Sequence, residues 1–338
     1  MMARLTPGNR QLIALVVLLV VVAAGFTIAS PTFLSPGNVV NILVQAAPTI
    51  IAAVGMTFVL AAGWIDLSVG SVLYLSVVFA LVASGTSSGI NGASSVWTYF
   101  MALGLALGLG AVNALLIQLF RVYPLLITLG TLTLYRGIGL RMTDSGNLAA
   151  DGPIQAIGRG SVAGIPLPLI IAVAVVVLGI LVLRYTRYGR YVLAIGGAPR
   201  SAMETGLPVN RVRLLVFAGS ALCAAVAGLI IAGRTGTAQT SLGDGFEFTV
   251  ITAVIVGGTS LFGGRGSVLG SALGALLLSL ISNGLNRIDA SIYVYDVAVG
   301  IVLFAAVLTD AVASGRLRPS RLRVSRNREK QPQSMPVP

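Results

Sequence analysis

Two blocks set charge and glycine inside otherwise apolar sequence. GMTFVLAAGWIDLSVGSV, residues 55–72, carries three glycines and Asp66; VIVGGTSLFGGRGSVLG, residues 254–270, carries six glycines and Arg265. A carboxylate at the centre of a membrane helix costs about 2.5–3.5 kcal/mol on insertion scales. Asp66 therefore needs an interface, a wet cavity or hydrogen-bond donors around it. The run Asp66-Leu67-Ser68-Val69 leaves two readings open. Asp66 is the N-cap of the next helix, accepting from the N–H groups of Ser68 and Val69, or it touches a solute. Arg265 has three: a cytoplasmic basic residue, a ligand of helix C-terminal carbonyls, or a contact to a partner.

Other chemistries are excluded by what the chain lacks. It has no His, which removes His triads, His metal sites and His proton relays. Its one Cys, Cys223, permits no intrachain disulfide and argues against a thiolate metal site. Its one lysine, Lys330, lies in the tail, so no GxxxxGK[ST] phosphate loop exists and ATP must be bound elsewhere. No catalytic residue, metal site or resident cofactor is expected.

The elements holding these residues must be membrane helices. Apolar residues make up 56% of 338, and charged residues 9%, against about 25% in ordinary soluble domains. Mean hydropathy is +0.95. A polytopic all-α membrane protein follows, with about ten spans of roughly 20 apolar residues. They are predicted at 11–29, 38–62, 67–83, 96–120, 124–142, 167–183, 212–232, 247–261, 267–285 and 293–309. An even count puts both termini on one side. Arg4, Arg10, Arg121, the arginines between Arg184 and Arg213, and the basic tail after Arg316 all fall on that side, which the positive-inside rule makes the cytoplasm. The same clustering at segment ends argues against nucleic-acid binding. Segment 143–165 then faces outward with Asp144, Asp151 and only Arg159. Arg136 and Arg141 also end up outside, against the charge bias, and suggest contacts with an acidic external partner. One domain is expected over 1–314, with a disordered basic tail over 315–338.

Irregular backbone at membrane depth is tolerated where protein or a water-filled cavity surrounds it, and broken helices point to a transport path. Gly63, Trp64, Asp66, Ser68 and Gly70 form one candidate break or path segment; Gly257, Gly258, Gly263 and Gly264 form the other. The tetrapeptide GSVL follows each break, at residues 70–73 and 266–269. The two copies share one orientation, which does not suit an inverted repeat and leaves an internal duplication open. In the loop at about 185–212, Ser201 to Glu204 is predicted to form a short helix after Pro199, with Gly206 at C′. So short a helix needs a surface to dock on.

These blocks resemble the branched-chain amino acid and sugar permeases of ABC importers, nearest the ribose-, xylose- and arabinose-type branch. The resemblance spans roughly residues 33–310. It is carried by FLSPGNVVNIL (33–43), GMTFVLAAGWIDLSVGSV, PLLITLGTLTLYRG (124–137), TRYGRYVLAIGGAPRSAMETGLPVNRVRL (186–214), VIVGGTSLFGGRGSVLG and SNGLN (282–286). It implies a bacterial inner-membrane permease without its own ATPase site, working as a dimer with a second permease copy or with a related partner. Cytoplasmic ATPase subunits would hold ATP and Mg, and a periplasmic or lipid-anchored binding protein would deliver a monosaccharide. By position, the coupling helix falls on Pro199, Arg200, Ser201, Ala202, Met203, Glu204, Thr205 and Gly206. Trp64 stands where the family often has a small residue, which implies a reshaped path. Two rivals remain: the same permease type for an amino acid, nucleoside or signalling furanose, and an ion-coupled carrier. The carrier would want several intramembrane acids, and Asp66 and Asp296 are the only clear candidates.

Overall fold

The computed structural model describes residues 7–83 and 96–313. The expected disordered tail, 315–338, lies outside the described residues. The chain is a helical bundle in the order α1 (Pro7–Ala29), α2 (Pro36–Ala61), α3 (Val69–Ala83), α4 (Val96–Phe120), α5 (Pro124–Met142), β1 (Leu148–Ala149) and α6 (Pro153–Arg159). It continues through β2 (Ser161–Val162), β3 (Ile165–Pro166), α7 (Leu167–Tyr185), α8 (Arg187–Gly197), α9 (Pro199–Glu204) and α10 (Val209–Thr235). β4 (Thr237–Ala238), α11 (Phe246–Val256), α12 (Val268–Arg287) and α13 (Ile292–Ala313) complete it.

Seven of these helices are long and apolar enough to cross a bilayer: α1, α2, α4, α7, α10, α12 and α13. The predicted count of ten is not reached by that measure. The other three predicted segments are helical, but α3 and α11 have only 15 and 11 residues, and α5 carries Arg136 and Arg141. The short pair are half-helices, each following a stretch of irregular chain.

Helix direction alternates, so contacts sort to two ends. At one end lie α9, the Gly264–Ala61 hydrogen bond (2.9 Å) and the Gln118–Asn210 bond (3.0 Å). At the other, β1 pairs with β4, Arg159 donates to the Arg234 carbonyl (2.8 Å), and Asn38 donates to Asn283 (2.9 Å). We call these the α9 end and the sheet end.

α2 is the central helix and packs on α7, α10, α11 and α12. Its buried stretch is built from small residues, including Ala46, Ala47, Ala52 and Ala53, which lets neighbouring backbones come close. A Cβ on Gly55 would meet Ser220 Cα at 2.9 Å, and one on Gly110 would meet Ala218 Cα at 2.8 Å. α1 and α13 instead leave large apolar side chains such as Val20 and Phe304 exposed, as expected of helices facing lipid.

Candidate functional site: two helix breaks joined to a short exposed helix

The chain leaves helical geometry at residues 62–68, between α2 and α3. Gly63 takes a positive φ of 76°, where a Cβ would be strained. Trp64 N–H then returns to the Val59 carbonyl (3.1 Å). Asp66 is buried and lies three residues before the first residue of α3. That is too early for an N-cap and corrects one expectation: no bond from Val69 reaches it. Asp66 instead closes a turn on Ser68, accepting from its N–H (2.9 Å) and its hydroxyl (2.6 Å) at Oδ1. Ser220 on α10 donates to Oδ2 at 3.4 Å.

A relay of hydrogen bonds converges on this carboxylate. Tyr135 of α5 donates to Asn113 Oδ1 of α4 (3.1 Å), and Asn113 Nδ2 donates to Ser68 Oγ (2.8 Å). Ser68 in turn donates to Asp66. The chain of donors runs toward the acid, so hydrogen bonds rather than a cation satisfy the buried carboxyl group. Three helices, α4, α5 and α10, and the break are thereby tied at one point. The sequence reading missed Asn113, Tyr135 and Ser220. Asn113, an amide inside the apolar run ALGLGAVNALL (106–116), was the available signal, because polar residues in spans bond across helices.

Trp64 does not stand free in an open channel. Its ring packs 6.2 Å from Phe217, and the Arg213 guanidinium sits 5.1 Å above it. Gly70 approaches Gly243 so closely that a Cβ on either would collide with the other's carbonyl oxygen; Glu247 Oε2 would lie 2.5 Å from a Cβ on Gly70. Thus the start of α3 crosses the chain just before α11, itself an irregular stretch with Gly236, Gly243 and Gly245 at positive φ. The sequence reading did not single out this third break.

Arg136 holds that third break. Its guanidinium bonds the carbonyls of Leu242 (2.6 Å) and Thr240, pairs with Asp244 (2.7 Å), and lies 4.3 Å over the Tyr74 ring. Arg141 pairs with Asp144 at 2.6 Å. Both arginines thus find acids within the chain, and the external acidic partner inferred from them is unnecessary.

The last break, residues 257–267, lies at the α9 end. Gly258, Gly263 and Gly264 have φ of 93°, 86° and 78°, and Gly257 packs against the Gly270 backbone. Asp310 of α13 fixes it, accepting from Ser260 Oγ, Leu261 N–H and Arg265, each at 3.0 Å. Arg265 is therefore a structural ion-pair partner. Ser267 caps α12 through Gly270 N–H (3.0 Å). The two GSVL copies fall at different phases. Gly70 is the second residue of α3, whereas Gly266 precedes α12. Both helices run from the α9 end, so the copies are not mates of an inverted pair.

α8 and α9 join the two breaks at this end. Thr186 caps α8 by accepting from Gly189 N–H (3.1 Å). α8 buries Gly189, Val192, Ile195 and Gly196 on one face, the spacing of an amphipathic helix. Tyr188 stacks on Phe58 of α2 at 6.0 Å, and burial pushes its phenol well above the ordinary value. Gly196 sits between the breaks. A Cβ there would strike the Ala61 carbonyl oxygen and lie 2.6 Å from Gly264 N; a Cβ on Gly263 would lie 2.8 Å from Gly63 Cα. Four glycines from three stretches of chain thus meet without side chains between them.

α9 follows after Ala198, with Pro199 in its first turn. Gly206 N–H bonds the Met203 carbonyl and Leu207 N–H the Ala202 carbonyl, both at 3.1 Å, with Gly206 at φ 76°. This is the paired closure of a Schellman C-terminus. Ala202 is buried, whereas Pro199, Arg200, Ser201, Met203, Glu204 and Thr205 are exposed. Arg200 and Glu204 pair at 3.2 Å.

Residues 38–307 match the family described as branched-chain amino acid transport system / permease component. The chain belongs to that family. The permease is 38% identical to the ribose import permease protein of Bacillus subtilis over 84% of this chain and 88% of that one. It is 36% identical to the ribose import permease protein of Escherichia coli K12, covering 89% and 93%. It is 33% identical to the D-allose transport system permease protein of the same strain, covering 88% and 90%. No solved structure matches it. Family and helices together make the permease a multi-pass membrane protein.

Proposed function

We propose that this permease imports a monosaccharide by alternating access, driven by ATP hydrolysed on partner subunits that dock on α9. The substrate class rests on relatives named for ribose and D-allose. The coupling role rests on one geometric observation: α9 presents exposed side chains, and the helix before it meets two helix breaks through glycine backbone. A push on α9 reaches both breaks with little slack, because close-packed interiors transmit displacement.

The α9 end is the cytoplasmic side in this reading. It carries Arg121, Arg184, Arg187, Arg190, Arg200, Arg211, Arg213 and Arg265, the positive-inside pattern. Both termini then lie in the cytoplasm of a cell with an inner membrane. A binding protein delivers the sugar to the sheet end, and a second copy of the permease completes the pathway. In this reading the residues of the first and last breaks serve as flexible backbone, with Asp66 holding one break in shape.

Purification of tagged chain from its native membrane in mild detergent tests the proposal. A stoichiometric ATPase and ATP-dependent sugar uptake after reconstitution are expected. A preparation lacking ATPase, yet active in liposomes under an ion gradient, would replace this reading with an ion-coupled carrier.

A further inference from the structure

A cavity of about 370 Å³ opens on the side of the bundle between α2, α7, α8 and α10. Gly55 and Phe58 of α2, Val175 and Gly179 of α7, and Gly219 and Cys223 of α10 lie in its wall. Nothing lies within 4 Å of where a Cβ on Gly219 would be, so the hollow is open at that point. Along α10 it runs from Leu215 to Cys223, about 12 Å at 1.5 Å per residue. Its mouth is apolar, with Leu178 and Leu215 exposed. Its α9 end is cationic. Arg184 lies two residues beyond Val182 of the wall, Arg187 precedes Tyr188 of the wall, and Arg211 lies one turn before Leu215. All three arginines are exposed.

We propose that this cavity binds an anionic phospholipid, with one acyl chain in the hollow and the phosphate among Arg184, Arg187 and Arg211. An elongated apolar slot in a membrane wall suits a chain of methylenes, and basic residues at the end of such a slot suit an acidic headgroup. The same charges oppose a second copy of this chain. A symmetric pair meeting here would bring like patches together, arginines facing arginines. The bound lipid would lie against α2 and α10 beside Ser220, which lines the cavity and donates to Asp66. Lipid occupancy would thus bear on the first break.

Native mass spectrometry of the full chain, released from nanodiscs of mixed phosphatidylglycerol and phosphatidylcholine, tests this. One retained phosphatidylglycerol per chain is expected. Each guanidinium contributes about fivefold to attraction for an anionic headgroup. Changing all three arginines to Gln should therefore lower the preference for phosphatidylglycerol by about a hundredfold while lipid of either kind still binds. Gly219→Leu fills the hollow and should abolish retention. Leu178→Trp, at the exposed mouth, gives the same readout if Gly219→Leu does not fold. Equal retention of both lipids by the native chain, or unchanged retention in a folded cavity-filled variant, would overturn the proposal. So would a disulfide between two chains carrying Leu178→Cys with Cys223→Ser, which would show a second copy covering the cavity.

Discussion

Gly196→Ala is the sharpest probe of the glycine joint. Its methyl carbon would lie 2.6 Å from Gly264 N and strike the Ala61 carbonyl oxygen. Ordinary heavy-atom contact begins near 3.5 Å, so α8 and the 257–267 break must separate by about 0.9 Å. That movement also stretches the Gly264–Ala61 hydrogen bond, now 2.9 Å. Overpacking costs about 1–3 kcal/mol and the hydrogen bond about 1 kcal/mol, or roughly 2–4 kcal/mol together. Each 1.4 kcal/mol is about tenfold in population, so ATP-driven uptake by the reconstituted complex should fall at least about tenfold. The thermal midpoint of the permease should fall with it. Gly197→Ala is the control, because a Cβ there meets only Gly264 Cα at an ordinary 3.5 Å. Its uptake should stay near the native level. Native uptake and melting in Gly196→Ala, or equal damage in Gly197→Ala, would refute the joint.

Glu204→Arg reverses an exposed charge on α9 and removes its pairing with Arg200; uptake should be abolished while membrane insertion, read by surface-protease protection, is unchanged. Asp66→Asn keeps an acceptor for Ser68 and should retain insertion and most uptake, whereas Asp66→Ala orphans three buried donors, the Ser68 N–H and hydroxyl and the Ser220 hydroxyl, at about 1–3 kcal/mol each and should lower the melting midpoint by several degrees. Arg136→Gln frees the carbonyls of Thr240 and Leu242 and the Asp244 carboxylate. Its melting midpoint should drop, and Arg136→Lys should not restore it, because one ammonium cannot reproduce a planar fork.

The sequence reading located apolar segments and glycine-rich interruptions because both are local properties. It also read α9 correctly as a possible short helix from Pro199 and Gly206, since capping needs only neighbours in sequence. Partners distant in sequence were harder. Arg136 looked misplaced until Asp244, more than a hundred residues on, was found beside it. Asp310 went unnoticed although it organises the last break from α13. The N-cap reading of Asp66 put it at the wrong helical position, because the first turn of α3 begins later than hydropathy suggests. Gly196 was invisible as a joint. What makes it one is the pair of carbonyl and amide groups it meets, and neither lies in its own segment.

The glycine joint also sets where this permease can be cut and recombined. A side chain on Gly196, Gly263 or Gly264 would drive the neighbouring backbone back, and Gly63, at positive φ, presents the Cα that a Cβ on Gly263 would meet. They therefore form a matched set drawn from three separate stretches of chain. A chimera built to accept a foreign ATPase should exchange sequence only beyond Gly197, through α9, and leave α8 with the bundle that moulds it. A graft beginning earlier would import one face of the joint without the other two. It would produce a well-inserted permease whose ATPase turns over without moving sugar.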